Sequence, residues 1–251
     1  MTEDRTDEEV AFGSIDEGIA GDFELSLGSV LEEAWSATNG CKGVFNIAFL
    51  VYSIGILIYF AITAAIYAVF GLGMDGSDSG ASGLSQLLSF LVNLVFYGVN
   101  SAVFAGFYIM GAKISMGEPA GLSDLFLYIK QSPKALVTYI LMVVLSGIGY
   151  LLLVFPGIYL TIAYSLALPL ALEKGLSPWQ ALETSRKAIT QRWFTVAGIT
   201  LVIGILLLLG VLTLGIAWIW LGPMAVLAYG IIYRNIFGLT DETLREENPT
   251  D

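Results

Sequence analysis

Histidine is absent from this 251-residue chain, and cysteine occurs once, at Cys41. A single thiol cannot build an internal disulfide framework, and without imidazole there is no His-ligated haem or zinc site. No cofactor and no metal is therefore expected. Charge is also scarce. Asp, Glu, Lys and Arg make up 13% of the chain, against about a quarter in an ordinary soluble domain. None of the four lies deep inside a long apolar run. A proton-coupled carrier usually relies on an intramembrane carboxylate or histidine relay, and an intramembrane hydrolase needs a base beside its nucleophile. Both classes lose support.

What fills the chain instead is hydrophobic sequence, 56% of it, with a mean hydropathy of +0.78. The apolar runs are long and lack the short alternation of a transmembrane barrel, so the expected class is an all-α polytopic membrane bundle. Six spans are expected, at 44–70, 84–112, 135–155, 158–172, 193–212 and 217–237. The fourth is short, ~22 Å of helix against ~30 Å of hydrocarbon. It must borrow length through Glu173, kink at Pro169 or stop short of a full crossing. Pro156-Gly157 is the expected tight break between spans three and four.

The net charge of −11 hides an uneven distribution. Nine of the 22 acidic residues lie in 1–24 and five in 239–251, while the stretch between holds eight acids and nine bases. The expected organisation is an acidic disordered tail at 1–24, a membrane body at 25–238 and a second acidic tail at 239–251. No basic n-region precedes the first apolar run, so no cleaved signal peptide is expected. The connections GLGMDGSDSGASG, PG and TLGIA contain no Lys or Arg, so all 11 basic residues fall on the opposite side. That asymmetry predicts cytoplasmic termini.

A short amphipathic segment precedes spans one, three and five: LGSVLEEAWSATNGCK, LSDLFLYIKQSPK and SPWQALETSRKAITQR. Each is expected to lie at the cytoplasmic interface before a transmembrane hairpin. The second should start at a Ser123/Asp124 cap and stop before Pro133. In the third, Ser177 and Gln180 form a capping box with Pro178 at the first helical position. At about 100° per residue, Trp179, Leu182, Ser185, Ile189 and Trp193 share one arc, and Glu183 pairs with Lys187 on the other. Arg186 projects between Trp179 and Trp193. It is expected to snorkel to headgroup level, or to meet a lipid phosphate or Glu173 with cation–π support from the tryptophans. Lys187 and Arg192 add positive charge. Three bases beside a membrane make a poor phosphate track, so nucleic acid is not an expected partner.

Span two carries a polar stripe, Ser89, Asn93 and Asn100 at helical spacings. Such amides line substrate paths in transporters, and they also bond helices to one another inside bundles. Ala102, Gly106, Gly198, Gly204 and Gly210 point to close helix approach.

The stretch FPGIYLTIAYSLALPLALEKGLSPWQALETSRKAITQRWF, at 155–194, resembles uncharacterised bacterial integral membrane proteins of the YciC-like kind. Its marks are a Pro-Gly hairpin, a span ending in P-L-x-L-E and a G-x-S-P-x-x-A-L-x-x-S helix. The resemblance implies a bacterial cytoplasmic membrane and brings no activity. The expected function is non-enzymatic, an accessory or assembly factor acting through anionic lipid headgroups or another membrane protein or complex. The alternative is a channel, transporter or lipid-moving protein for an uncharged or lipid substrate.

Overall fold

A computed structural model describes residues 12–70 and 83–245. The expected disorder of 1–11 and 246–251, and the connection 71–82, lie outside the described residues. Every regular element among the described residues is helical.

Residues 12–24, expected in the acidic tail, are folded. Ser14 accepts the Glu17 N–H and donates its hydroxyl to the Glu17 carboxylate, which starts α1 (Ile15–Ala20). Gly21, at φ 85°, closes it by donating to the Glu17 carbonyl. Only a residue that tolerates left-handed backbone ends a helix this way without strain.

Next comes α2 (Leu27–Phe70), 44 residues without a break. The expected interfacial segment and the first span are one helix. A switch from amphipathic to apolar pattern does not end a helix. Gly40 and Gly43 each weaken one by only ~1 kcal/mol, and no proline intervenes. α3 (Gly83–Ser115) returns beside it. It ends where Gly117, at φ 80°, turns the chain and the Glu118 N–H reaches the Lys113 carbonyl.

The second lead-in is fragmented into α4 (Leu122–Phe126), a 3₁₀ turn at Ile129–Gln131 and the start of α5 (Ser132–Leu152). The N-cap is Gly121 instead of Ser123, and Asp124 takes the Gly121 N–H at 2.8 Å. Pro133 sits in the first turn of α5, where it has no helical N–H to lose. The turn after α5 is also displaced from its expected place. Leu153 is extended and α6 (Val154–Ala163) begins at once, so Pro156 and Gly157 belong to its first turns. Gly149 and Gly157 bring the two backbones into contact, leaving no room there for a side chain.

The expected fourth span is split. α6 ends at Ala163, and α7 (Ala167–Leu172) follows a turn at 164–166. The cause is Pro169. It cannot donate to the Ser165 carbonyl, and its ring crowds that carbonyl, so the helix breaks one turn before the proline. With 10 and 6 residues, the pieces are about 15 and 9 Å long, and neither crosses ~30 Å alone. The remaining helices are α8 (Pro178–Gln191), α9 (Trp193–Leu212), α10 (Trp218–Phe237) and α11 (Asp241–Arg245).

Among the described residues, four helical stretches are long and apolar enough to cross a membrane: Leu27–Val69, Gln86–Ser115, Leu122–Leu152 and Trp193–Leu212. α10 has 20 residues but carries Arg234 and Asn235 in its last turn. It is the central post of the bundle, with Leu227, Ala228, Ile231, Ile232 and Tyr233 fully buried. It runs antiparallel to the first half of α2, with Arg234 on Glu33 at one end and Ile219 on Asn46 at the other. It meets α3 backbone to backbone at Gly111 and Gly230. Of the small residues expected at close approaches, Gly106 lies on the Leu125 carbonyl, Gly198 on Leu27 and Gly210 on the Trp218 ring, while Gly204 faces open space.

Candidate functional site

α8 begins as its sequence requires. Ser177 Oγ accepts the Gln180 N–H, and Gln180 returns its carbonyl oxygen to the Ser177 N–H. Its buried face is Ala181, Leu182, Ser185, Ala188 and Ile189. This is rotated from the expected arc, because Trp179 is 58% exposed and only the three central residues of that arc are inside. The rotation has a polar anchor. Ser185 Oγ donates to the Ala163 carbonyl at 2.7 Å, satisfying a group that the end of α6 leaves without a helical partner.

Arg186 finds its partner on its own helix. Its Nε and Nη2 donate to the two carboxylate oxygens of Glu183 at 2.9 and 2.7 Å, a planar two-point pairing. The hydrogen bond from Arg186 holds the Glu183 carboxyl below its ordinary range, and Glu183 together with Tyr159 pushes the guanidinium up. Lys187 sits 3.6 Å from the same carboxylate, as its i,i+4 spacing predicts. The expected contact with Glu173 does not form. Glu173 is sealed inside, taking the Tyr233 hydroxyl at 2.6 Å and the Thr240 N–H at 2.6 Å, with Lys174 at 3.6 Å. Neither tryptophan holds the guanidinium. Trp193 donates its indole N–H to the Tyr159 carbonyl at 3.3 Å and leans on the Tyr159 ring. The cation–π pairs among the described residues are Lys42 over Trp220 and Arg234 over Phe12. Trp179, Lys187 and Arg192 remain exposed on the outer side of α8.

The α3 stripe pairs with tyrosines of α2. The Tyr59 hydroxyl donates to Asn93 Oδ1 at 2.8 Å and that of Tyr52 to Asn100 Oδ1 at 2.7 Å. Asn93 Nδ2 turns back to the Ser89 carbonyl, and Ser89 Oγ is buried without a partner among the described residues. Two apolar cavities, of about 220 and 430 Å³, open beside Tyr52 between α2 and the helices facing it.

Sequence reasoning missed three polar contacts. Asn46 Nδ2 donates to the Ile219 carbonyl at 3.0 Å. Pro223, four residues on, cannot donate to that carbonyl, so the amide replaces the missing helical bond. Lys113 and Asp124 form a buried pair at 2.7 Å. Arg234 holds Glu33 and also donates to the Ser115 carbonyl at 2.6 Å. Pro223 was a visible signal for the first; the other two join segments whose proximity no spacing announces. Among the described residues, no three of Cys, Asp and Glu gather as metal ligands would.

No family model, curated protein or solved structure matches the chain.

Proposed function

We propose that this is a non-enzymatic multi-pass protein of a bacterial cytoplasmic membrane, an accessory or assembly factor that works by contact with another membrane protein and with anionic lipid. The observation that carries the reading is the fate of the apolar-region amides. Asn46, Asn93 and Asn100 all bond to a neighbouring helix. They serve as interhelical ties, which is the common use of amides in such bundles. The charge asymmetry supports three hairpins opening toward the cytoplasm with both termini there. The resemblance over 155–194 fits the same location. Lys187 on α8 and Arg192 at its C-terminal cap are exposed, where headgroup phosphates would meet them.

The second reading is a passage for an uncharged solute or lipid. It is favoured by the cavities that open at Tyr52 and by the unpartnered Ser89 hydroxyl.

Purification in native lipid, with identification of co-purifying lipids and proteins, tests the first reading. Lys187→Gln with Arg192→Gln is expected to lower bound anionic lipid at least threefold and to leave the fold intact. Unchanged lipid, together with solute or lipid flux in liposomes that Asn100→Leu abolishes, would transfer the case to the second reading.

A further inference from the structure

The α5–α6 hairpin has unequal limbs. α5 has 21 residues and α6 has 10, about 31 and 15 Å. The shorter limb limits how deep a hairpin reaches, and half of ~30 Å is one leaflet. Past Ala163 the chain gives no further lipid-facing length, because every residue of α7 is buried.

α8 fixes where this hairpin stands. It lies antiparallel to α6, joined by Ser185 to the Ala163 carbonyl and by Thr190 to the Tyr159 hydroxyl at 2.7 Å. Trp193, the first residue of α9, closes on the Tyr159 carbonyl. Lys187, Thr190 and Gln191 are exposed along this stretch. Charged and amide side chains therefore run beside α6 from Ala163 to Tyr159. The Tyr159–Trp193 aromatic pair is the type that settles at the membrane–water boundary. One turn further on, Leu151, Leu152, Leu153, Val154 and Phe155 are 88, 71, 68, 63 and 84% exposed. This apolar tip carries no polar side chain, and the bases of α8 stand above it.

We infer that α5 and α6 form a wedge that enters the cytoplasmic leaflet and returns, with the acyl chains of that leaflet covering its tip and their anionic headgroups meeting α8. The inference rests on the membrane reading above and replaces two of its crossings with a re-entrant hairpin. Termini on one side follow either way.

The test uses the full chain carrying Cys41→Ser, expressed in bacterial cells, with one new cysteine, introduced as Phe155→Cys or as Asp241→Cys. Right-side-out and inverted membranes are treated with an impermeant maleimide. The Asp241→Cys protein should label from one side. Phe155→Cys should label less than a tenth as much from either side, and fully once unfolded in detergent. A bimane attached to the thiol of the Phe155→Cys protein should lose more than half its emission to lipids bearing a nitroxide on the acyl chain. Labelling of Phe155→Cys from the side opposite Asp241→Cys overturns the wedge, whichever way the protein sits. So does a bimane that lipid nitroxides do not quench. Labelling of Asp241→Cys from outside overturns the proposed orientation alone.

Discussion

Asn46 stands in for the backbone donor that Pro223 lacks: its amide holds the Ile219 carbonyl at 3.0 Å, across from α2 to α10. A proline inside a helix leaves the carbonyl four residues back without its partner. In a bilayer no water is at hand to take it. The two residues should therefore be coupled. Asn46→Leu is expected to cost ~1 kcal/mol, the price of an unmade hydrogen bond. In Pro223→Ala protein, where the backbone donor returns, the same change should cost much less. Thermal unfolding of the four proteins in detergent gives the double-mutant cycle, and equal costs in both backgrounds would show that the amide has no such role.

Arg234 and Glu33 are the second clasp between these helices. Arg234 is 7% exposed along its side chain and Glu33 39%, so the two substitutions should differ. Glu33→Gln loses a half-exposed charge, while the guanidinium keeps the Ser115 carbonyl and Asn235, and the expected cost is ~1 kcal/mol. Arg234→Met leaves the Ser115 carbonyl unmet inside the bundle and should cost ~3 kcal/mol. Unfolding midpoints of the two variants decide the order.

Gly230 touches the α3 backbone at Gly111 and Ala112 with no side chain between them. A methyl group there has nothing flexible to displace. Gly230→Ala is expected to destabilise by ~3 kcal/mol through forced separation of α3 and α10. Gly204→Ala, facing open space, should be neutral or slightly stabilising.

Tyr52 and Asn100 should show a coupling energy of ~1 kcal/mol when Tyr52→Phe and Asn100→Leu are combined, in the range of interhelical hydrogen bonds in membranes. If the amide serves passage instead, the two changes should be additive in stability and flux should carry the effect.

Glu183 sets an acid limit on α8. Its carboxyl is held below the ordinary range by Arg186. The contribution is complete above the unfolded-state value of ~4.3 and is lost as pH falls through the lower folded one. The group is partly exposed, so the effect is small. Between about pH 5 and pH 3 the midpoint of the native protein should fall ~1 °C further than that of Glu183→Gln. Parallel curves would remove the pair from the account of α8.

Much of the architecture was legible because it rests on hydrophobic run length and on caps. The box at Ser177 and Gln180 gave the start of α8, and the apolar runs gave the long helices. Ser14 and Glu17 have the same box spacing and start α1, but they sit in an acidic stretch whose composition resembles a solvated tail. Proline was the main source of misplacement. It sits comfortably in a first turn, so Pro133 and Pro156 mark where helices begin and not where they stop. Inside α7, Pro169 breaks the chain one turn upstream of itself. The α8 site was less legible, because Ser185 turns the helix toward the Ala163 carbonyl and carries Trp179 outward. Arg186 then took the nearest carboxylate, three residues away, in place of Glu173, which is enclosed by Tyr233 and Thr240.

The clasp between α2 and α10 joins residues 201 positions apart, and this constrains biosynthesis. While the ribosome is still making the middle of the chain, Glu33 and Asn46 have no counterparts, and the α10-facing stripe of α2 is uncovered. Closure comes only when the last apolar segment arrives. A nascent chain stalled before Trp218 would be inserted and helical, yet open along the whole length where its central post belongs.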